Sequence, residues 1–76
     1  MYSLFLSDGS ITIVKTEKFE DDENLNTRLY RDKDFEIVRF STEKEARKFL
    51  NDTFREEFID FRYRTSGITF WEKMKK

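Results

Sequence analysis

The chain has no cysteine, histidine or proline, yet 13 of its 76 residues are aromatic: nine Phe, three Tyr and one Trp. A domain of this length buries only about 60% of the surface that its unfolded chain exposes, so its core is small. Disulfides and transition-metal sites, which stabilise many small domains, need residues that are absent here. We therefore expect residues 1–76 to form a single domain stabilised by aromatic packing, with a homodimer as an alternative source of stability.

The same absences exclude most catalytic and metal chemistry. Ser-His-Asp and Cys-His catalysis lack a base or nucleophile, and zinc, iron–sulfur and blue-copper sites lack imidazole and thiolate ligands. The two glycines, Gly9 and Gly67, cannot build a phosphate-binding loop of the Walker or Rossmann type. Glu56, Glu57 and Asp60 are close in sequence, but the neighbouring arginines favour ordinary ion pairs there. We expect no enzyme activity, no cofactor and no metal.

Residues 2–16 are predicted to form a β-hairpin. Asp8-Gly9 indicates a type I′ turn, in which both central residues have positive φ. With Ser7 opposite Ser10, the register collects apolar side chains on one face, and a slip by one residue would scatter them. This face carries Tyr2, Leu4, Leu6, Ile11 and Ile13.

The middle of the chain carries weaker signals. Residues 17–27 have no hydrophobic period and are predicted to form a loop, which contains four consecutive acids. Residues 28–31 fit a short strand. A turn at 32–34 then leads into residues 35–40, which are predicted to form a strand because they are rich in β-branched and aromatic side chains.

The clearest element is a helix predicted over residues 43–65. Thr42 as N-cap and Glu45 three residues later form a capping box. Apolar residues then recur at helical spacing: Ala46, Phe49, Leu50, Phe54, Phe58 and Phe61. Gly67 suits the left-handed position just after the last turn. An alternative stays open at the helix end, because residues 61–65 alternate as a strand would.

These elements predict an α+β fold. A small antiparallel sheet, made of the N-terminal hairpin and one or two further strands, is packed by one long amphipathic helix. Residues 68–71 fit either a short C-terminal strand or an apolar tail. We expect Phe49, Leu50, Phe54 and Phe58 of the helix to be buried against Leu4, Leu6, Ile11 and Ile13 of the hairpin. The N-terminal residues have no basic region and only a short apolar run, so we expect no membrane span and a cytoplasmic location.

Charge is uneven along the chain. Residues 1–27 hold two bases and six acids (net −4), residues 28–60 hold eight and nine (net −1), and residues 61–76 hold five and one (net +4). Aromatic anchors dominate protein interfaces, and charged clusters steer partners together. The favoured hypothesis is a non-catalytic module that binds and modulates a larger protein partner, in the manner of a phage-type accessory inhibitor. Its predicted binding residues are Glu20, Asp21, Asp22, Glu23, Phe70 and Trp71.

The alternative hypothesis is a single-stranded nucleic-acid-binding protein. Basic side chains contact phosphates, and exposed aromatic rings stack on bases. The C-terminal segment interleaves both types of residue: Arg62, Tyr63, Arg64, Lys73, Lys75 and Lys76. Because the whole chain has a net charge of −1, nucleic acid is the less favoured partner.

Overall fold

The computed structural model describes residues 1–65. The predictions for Gly67, the final strand at 68–71 and the Lys-rich end lie outside the described residues. In chain order the elements are β1 (Tyr2–Ser7), β2 (Ser10–Lys15), α1 (Thr16–Phe19), α2 (Glu23–Asn26), α3 (Glu43–Thr53) and two 3₁₀ turns, at Glu56–Phe58 and Phe61–Tyr63. An antiparallel sheet packed by an amphipathic helix confirms the predicted α+β class.

The hairpin has the predicted register. Ser7 pairs with Ser10, and the ladder continues to Tyr2 opposite Lys15. The predicted turn type is wrong, however. Gly9 has a φ of +77°, but Phe35 is the one non-glycine residue with a positive φ within residues 1–65, so Asp8 does not share that geometry. A type I′ turn needs positive φ at both central positions, and this turn has it only at Gly9.

The second edge of β1 is also hydrogen-bonded, although not by a regular strand. The Tyr2 N–H donates to the Phe40 carbonyl at 2.8 Å, and the Phe40 N–H donates back at 2.7 Å. The Tyr30 N–H likewise donates to the Leu4 carbonyl at 2.8 Å. The strands predicted at 28–31 and 35–40 therefore appear as isolated bridges that extend the sheet around a central β1.

The loop predicted over residues 17–27 is wrong, because two short helices occupy most of it. The Asp22 side chain is the N-cap of α2 and accepts hydrogen bonds from the N–H groups of Asn24 and Leu25, at 2.9 and 3.1 Å. At the start of α1, the Thr16 hydroxyl is buried and lies 2.6 Å from the Ser3 hydroxyl. These hydrogen bonds order a segment that has no hydrophobic period.

Helix α3 begins as predicted and ends twelve residues early, at Thr53 rather than residue 65. The Thr42 hydroxyl accepts the Glu45 N–H at 3.2 Å, which confirms the N-cap. Phe54 is extended, with φ −116° and ψ 154°. Asn, Asp and Thr precede it at positions 51–53, and such side chains compete with the helix for backbone hydrogen bonds. The alternative of a strand at 61–65 is also wrong, since residues 61–63 form a 3₁₀ turn.

The core lies between the hairpin and α3. Its buried members are Leu4, Ile11, Ile13, Ala46, Leu50 and Ile59. Aromatic rings surround this cluster, with centroid distances of 5.3 Å for Phe40–Phe49 and 5.6 Å for Tyr30–Phe54. Ile59 takes the place that the predicted helix assigned to Phe58. It is 1% exposed, and Phe58 is 50% exposed. The predicted burial of Phe58 and Leu6 is therefore wrong.

Candidate protein-binding surface

Glu20 and Asp22, two of the four acids at 20–23, accept hydrogen bonds within the domain. Asp22 caps α2, and Glu23 lies in the first turn of that helix, where negative charge is favourable. The Glu20 carboxylate accepts a hydrogen bond from Arg39 at 2.8 Å. Asp21 is exposed. Two of the four predicted binding residues thus stabilise the fold directly, and a role in partner binding for this segment stays a prediction.

The basic residues at 62 and 64 are also held by the domain itself. The Arg62 guanidinium forms a two-point ion pair with Asp60, with Nη2–Oδ2 at 2.8 Å and Nε–Oδ1 at 3.2 Å. This hydrogen bond lowers the pKa of Asp60 to about 2, although partial burial opposes the shift. The Arg64 Nε donates to the Ile59 carbonyl at 2.9 Å.

One of three cation–π contacts among the described residues here ties the second 3₁₀ turn to α3, and the other two lie within or next to the turn. Arg47 and Arg62 lie over the Tyr63 ring, 5.6 and 5.5 Å from its centroid, and Arg64 lies 5.8 Å from the Phe61 centroid. The Arg47 guanidinium also donates to the Arg62 carbonyl at 3.0 Å. The remaining predicted binding residues lie outside the described residues: Phe70, Trp71, Lys73, Lys75 and Lys76.

An apolar concavity opens at the turn end of the hairpin, and we call it the hairpin-end groove. It has a volume of about 230 Å³ and is lined by Leu6, Ser7, Gly9, Ser10, Ile11, Phe54 and Phe58. Leu6 and Phe58 are 42% and 50% exposed, whereas Leu4, on the same face of β1, is fully buried under α3. The groove exists because α3 ends before it can cover Leu6.

A second concavity, the acidic groove, shares Phe54 with the first. It has a volume of about 560 Å³ and is lined by Asn51, Asp52, Phe54, Arg55, Glu56, Glu57, Ile59 and Thr65. Its lining within residues 1–65 includes three carboxylates and one guanidinium. Arg55 lies 3.5 Å from the Glu57 carboxylate, and Lys48, outside the lining, lies 3.0 Å from Asp52. An apolar surface and an acidic surface therefore meet at one aromatic ring.

Sequence reasoning missed this surface because it continued the helix through Phe54 and Phe58. Asn51-Asp52-Thr53, a run of poor helix formers in the middle of the apolar stripe, is the signal that marks the helix end. Glu57 and Asp60 do form the ordinary ion pairs that were expected, with Arg55 and Arg62 respectively.

Residues 1–65 show neither a metal-binding cluster nor a membrane-spanning helix. Within residues 1–65, no three side chains of His, Cys, Asp or Glu are grouped closely enough to hold a metal ion. Among the helices of the same residues, none combines the length and the apolar character that crossing a membrane requires.

Fold and surface together define a small α+β domain with an open apolar groove beside an acidic one. Over residues 1–76 the chain matches the model of a family described as "Family of unknown function (DUF8545)", and it belongs to that family. No curated protein and no solved structure matches the chain.

Proposed function

We propose that this domain is a non-catalytic protein-interaction module that binds a larger protein partner and modulates it by covering part of the partner's surface. The hairpin-end groove is the observation that carries the proposal. Apolar side chains that are half exposed in a concave surface gain free energy when a partner covers them, about 1 kcal/mol each for Leu6 and Phe58. Contiguous exposed apolar surface of this kind is typical of interaction sites.

The charge pattern supports the same function. Asp21 and Glu23 are exposed, and so are the carboxylates around the acidic groove. Exposed charge clusters contribute little to folding and raise the rate at which an oppositely charged partner associates. In this proposal the partner is cytoplasmic, inhibition is the mode of modulation, and Phe70 and Trp71 remain candidate contacts.

A matched pair of variants tests the proposal. Leu6→Ser combined with Phe58→Ser removes apolar groups from the groove, while Phe61→Ser removes a ring that is 67% exposed and does not line it. The full chain, immobilised, is used to capture a partner from its native host, and the affinity of the purified partner is then measured. We expect the double variant to lose at least about tenfold in affinity and the control to keep wild-type affinity. Equal affinity for all three proteins would contradict the proposal.

Single-stranded nucleic acid remains the second candidate. Phe61 is an exposed ring flanked within three residues by Arg62 and Arg64, an arrangement that suits base stacking beside phosphate contacts. If this function holds, an oligothymidine strand should bind with an affinity that falls steeply as salt rises, because phosphate contacts release counterions. Phe61→Ser should then weaken binding, and the groove variant should not. Protein binding should thus be lost in the groove variant, and nucleic-acid binding should be weakened in Phe61→Ser.

A further inference from the structure

The two grooves form one composite surface around Phe54, which lines both of them. On one side the lining is apolar and centred on Leu6 and Phe58. On the other side the described lining residues include three carboxylates and one guanidinium. A ligand that spans Phe54 therefore meets two different chemistries within a few residues of its own length.

The ion pairs of Asp52 and Glu57 leave these two carboxylates of the acidic groove accessible to a competing cation. In the Lys48–Asp52 pair the side chains are 79% and 65% exposed, and in the Arg55–Glu57 pair they are 82% and 62% exposed. Exposed pairs such as these are worth about 0–1 kcal/mol, so a cation brought in by a ligand can replace the intramolecular partner. Charge complementarity consequently favours a basic ligand over an acidic or neutral one.

From this juxtaposition we propose that the occupant is a short peptide segment of the partner, in which one large apolar side chain is followed closely by lysine or arginine. The apolar side chain fills the hairpin-end groove against Leu6 and Phe58, and the basic residues lie over Asp52, Glu56 and Glu57. This inference rests on the proposed protein-binding function and adds the chemistry of the segment that is bound. Apolar burial supplies most of the affinity, and the carboxylates select the charge.

Four labelled octapeptides on a serine–glycine background test this in a two-by-two design. They carry Phe with two Lys, Phe with two Glu, Ser with two Lys, and Ser with two Glu. Fluorescence anisotropy with the full chain should give measurable binding below about 1 mM only for the Phe–Lys peptide, with at least about tenfold preference over each of the others. Raising salt from about 50 to about 300 mM should narrow the preference for Lys over Glu.

Two variants assign the halves of the peptide to the two grooves. The Leu6→Ser/Phe58→Ser variant should abolish binding, and Glu56→Gln/Glu57→Gln should keep binding of Phe peptides while removing the preference for Lys. Asp34→Asn/Glu36→Gln is the control for the second variant, because it removes two exposed acids that line neither groove. Circular dichroism of each variant shows whether it remains folded.

Four results would overturn the inference. Equal binding of the Phe–Lys and Phe–Glu peptides would remove the charge selection, and equal binding of Phe–Lys and Ser–Lys would remove the apolar anchor. No binding of any peptide, with capture of a native partner still dependent on the groove, would show that the occupant is wrong while the proposed function stands. Finally, a dimer in sedimentation velocity that the Leu6→Ser/Phe58→Ser variant dissociates would make a second copy of the chain the occupant.

Discussion

Phe35 lies at the tip of a tight turn in a backbone conformation that phenylalanine rarely adopts. Its φ is +63°, and its side chain is 80% exposed. The turn is held from within, because the Asp32 carboxylate accepts the N–H groups of Asp34 and Glu36, at 2.8 and 3.1 Å. The Arg31 guanidinium also donates to the Phe35 carbonyl, at 2.9 Å. These bonds keep the positive φ in place despite its cost.

We predict that Phe35→Gly is more stable than Phe35→Ala. Both changes remove the same exposed ring, but only glycine relieves the left-handed strain, which costs about 1–2 kcal/mol for an L-residue. The glycine variant in turn loses about 0.5–1 kcal/mol of stability, because its unfolded chain has more conformational freedom. The difference in free energy of unfolding is then about 0.5–1 kcal/mol in favour of glycine, which for a domain of this size raises Tm by roughly 2–8 °C.

Urea unfolding followed by circular dichroism measures this difference as a shift in midpoint at constant slope. Glu36 supplies the control, since this neighbouring exposed residue does not have a positive φ. At Glu36 the order should reverse, with the alanine variant more stable than the glycine variant. A Phe35→Gly protein no more stable than Phe35→Ala would refute the reasoning, because the backbone strain would then carry no cost.

Three further predictions concern the core, the Asp60 ion pair and the acids at 20–23. Ile59→Ala should lower the free energy of unfolding by about 2–5 kcal/mol and Phe58→Ala by about 1 kcal/mol or less, because Ile59 is 1% exposed and Phe58 is 50% exposed. Urea midpoints in the opposite order would instead support a helix that continues through residue 58. The pKa of Asp60 is lowered from 3.8 to about 2, so its stabilisation is fully present above pH 4 and is lost as pH falls towards 2. The Arg62 side chain is 72% exposed and the Asp60 side chain is 20% exposed, so solvent screens the pair and the loss is about 1 kcal/mol. Asp60→Asn should therefore flatten the Tm profile over that pH range. Changing the four acids at 20–23 to their amides should keep the free energy of unfolding within about 1 kcal/mol of the wild type, because Asn caps a helix as well as Asp does. Asp22→Ala alone removes the cap and should cost about 1 kcal/mol in the same urea assay. The amide variant should also associate more slowly with a captured protein partner at low salt, and an unchanged rate would remove steering from the proposal.

The features that could be predicted from the sequence depend on neighbouring residues. The hairpin register follows from a period-two pattern around Asp8-Gly9, and one face would lose its apolar residues if the strands slipped. The start of α3 follows from Thr42 and Glu45, which are three residues apart. Asp22 before α2 is a signal of the same kind, which the run of acids around it obscured. Local hydrogen bonds and local periodicity determine all three features.

Asn51-Asp52-Thr53 weakens the helix locally, but the tertiary structure decided that α3 ends at Thr53 and, with it, where the candidate site lies. The helical spacing of Phe54, Phe58 and Phe61 continues past Thr53, so periodicity alone extends the helix. The folded chain instead leaves the helix and places Ile59 beside Ile11, where the Asp60 N–H donates to the Ile11 carbonyl at 2.8 Å. The burial of Ile59 against Ile11, 48 positions earlier in the chain, overrides the local helical repeat, because tertiary packing contributes more to the stability of a protein helix than its local propensity does. The exposure of Leu6 and Phe58, and the groove between them, follow from that long-range contact.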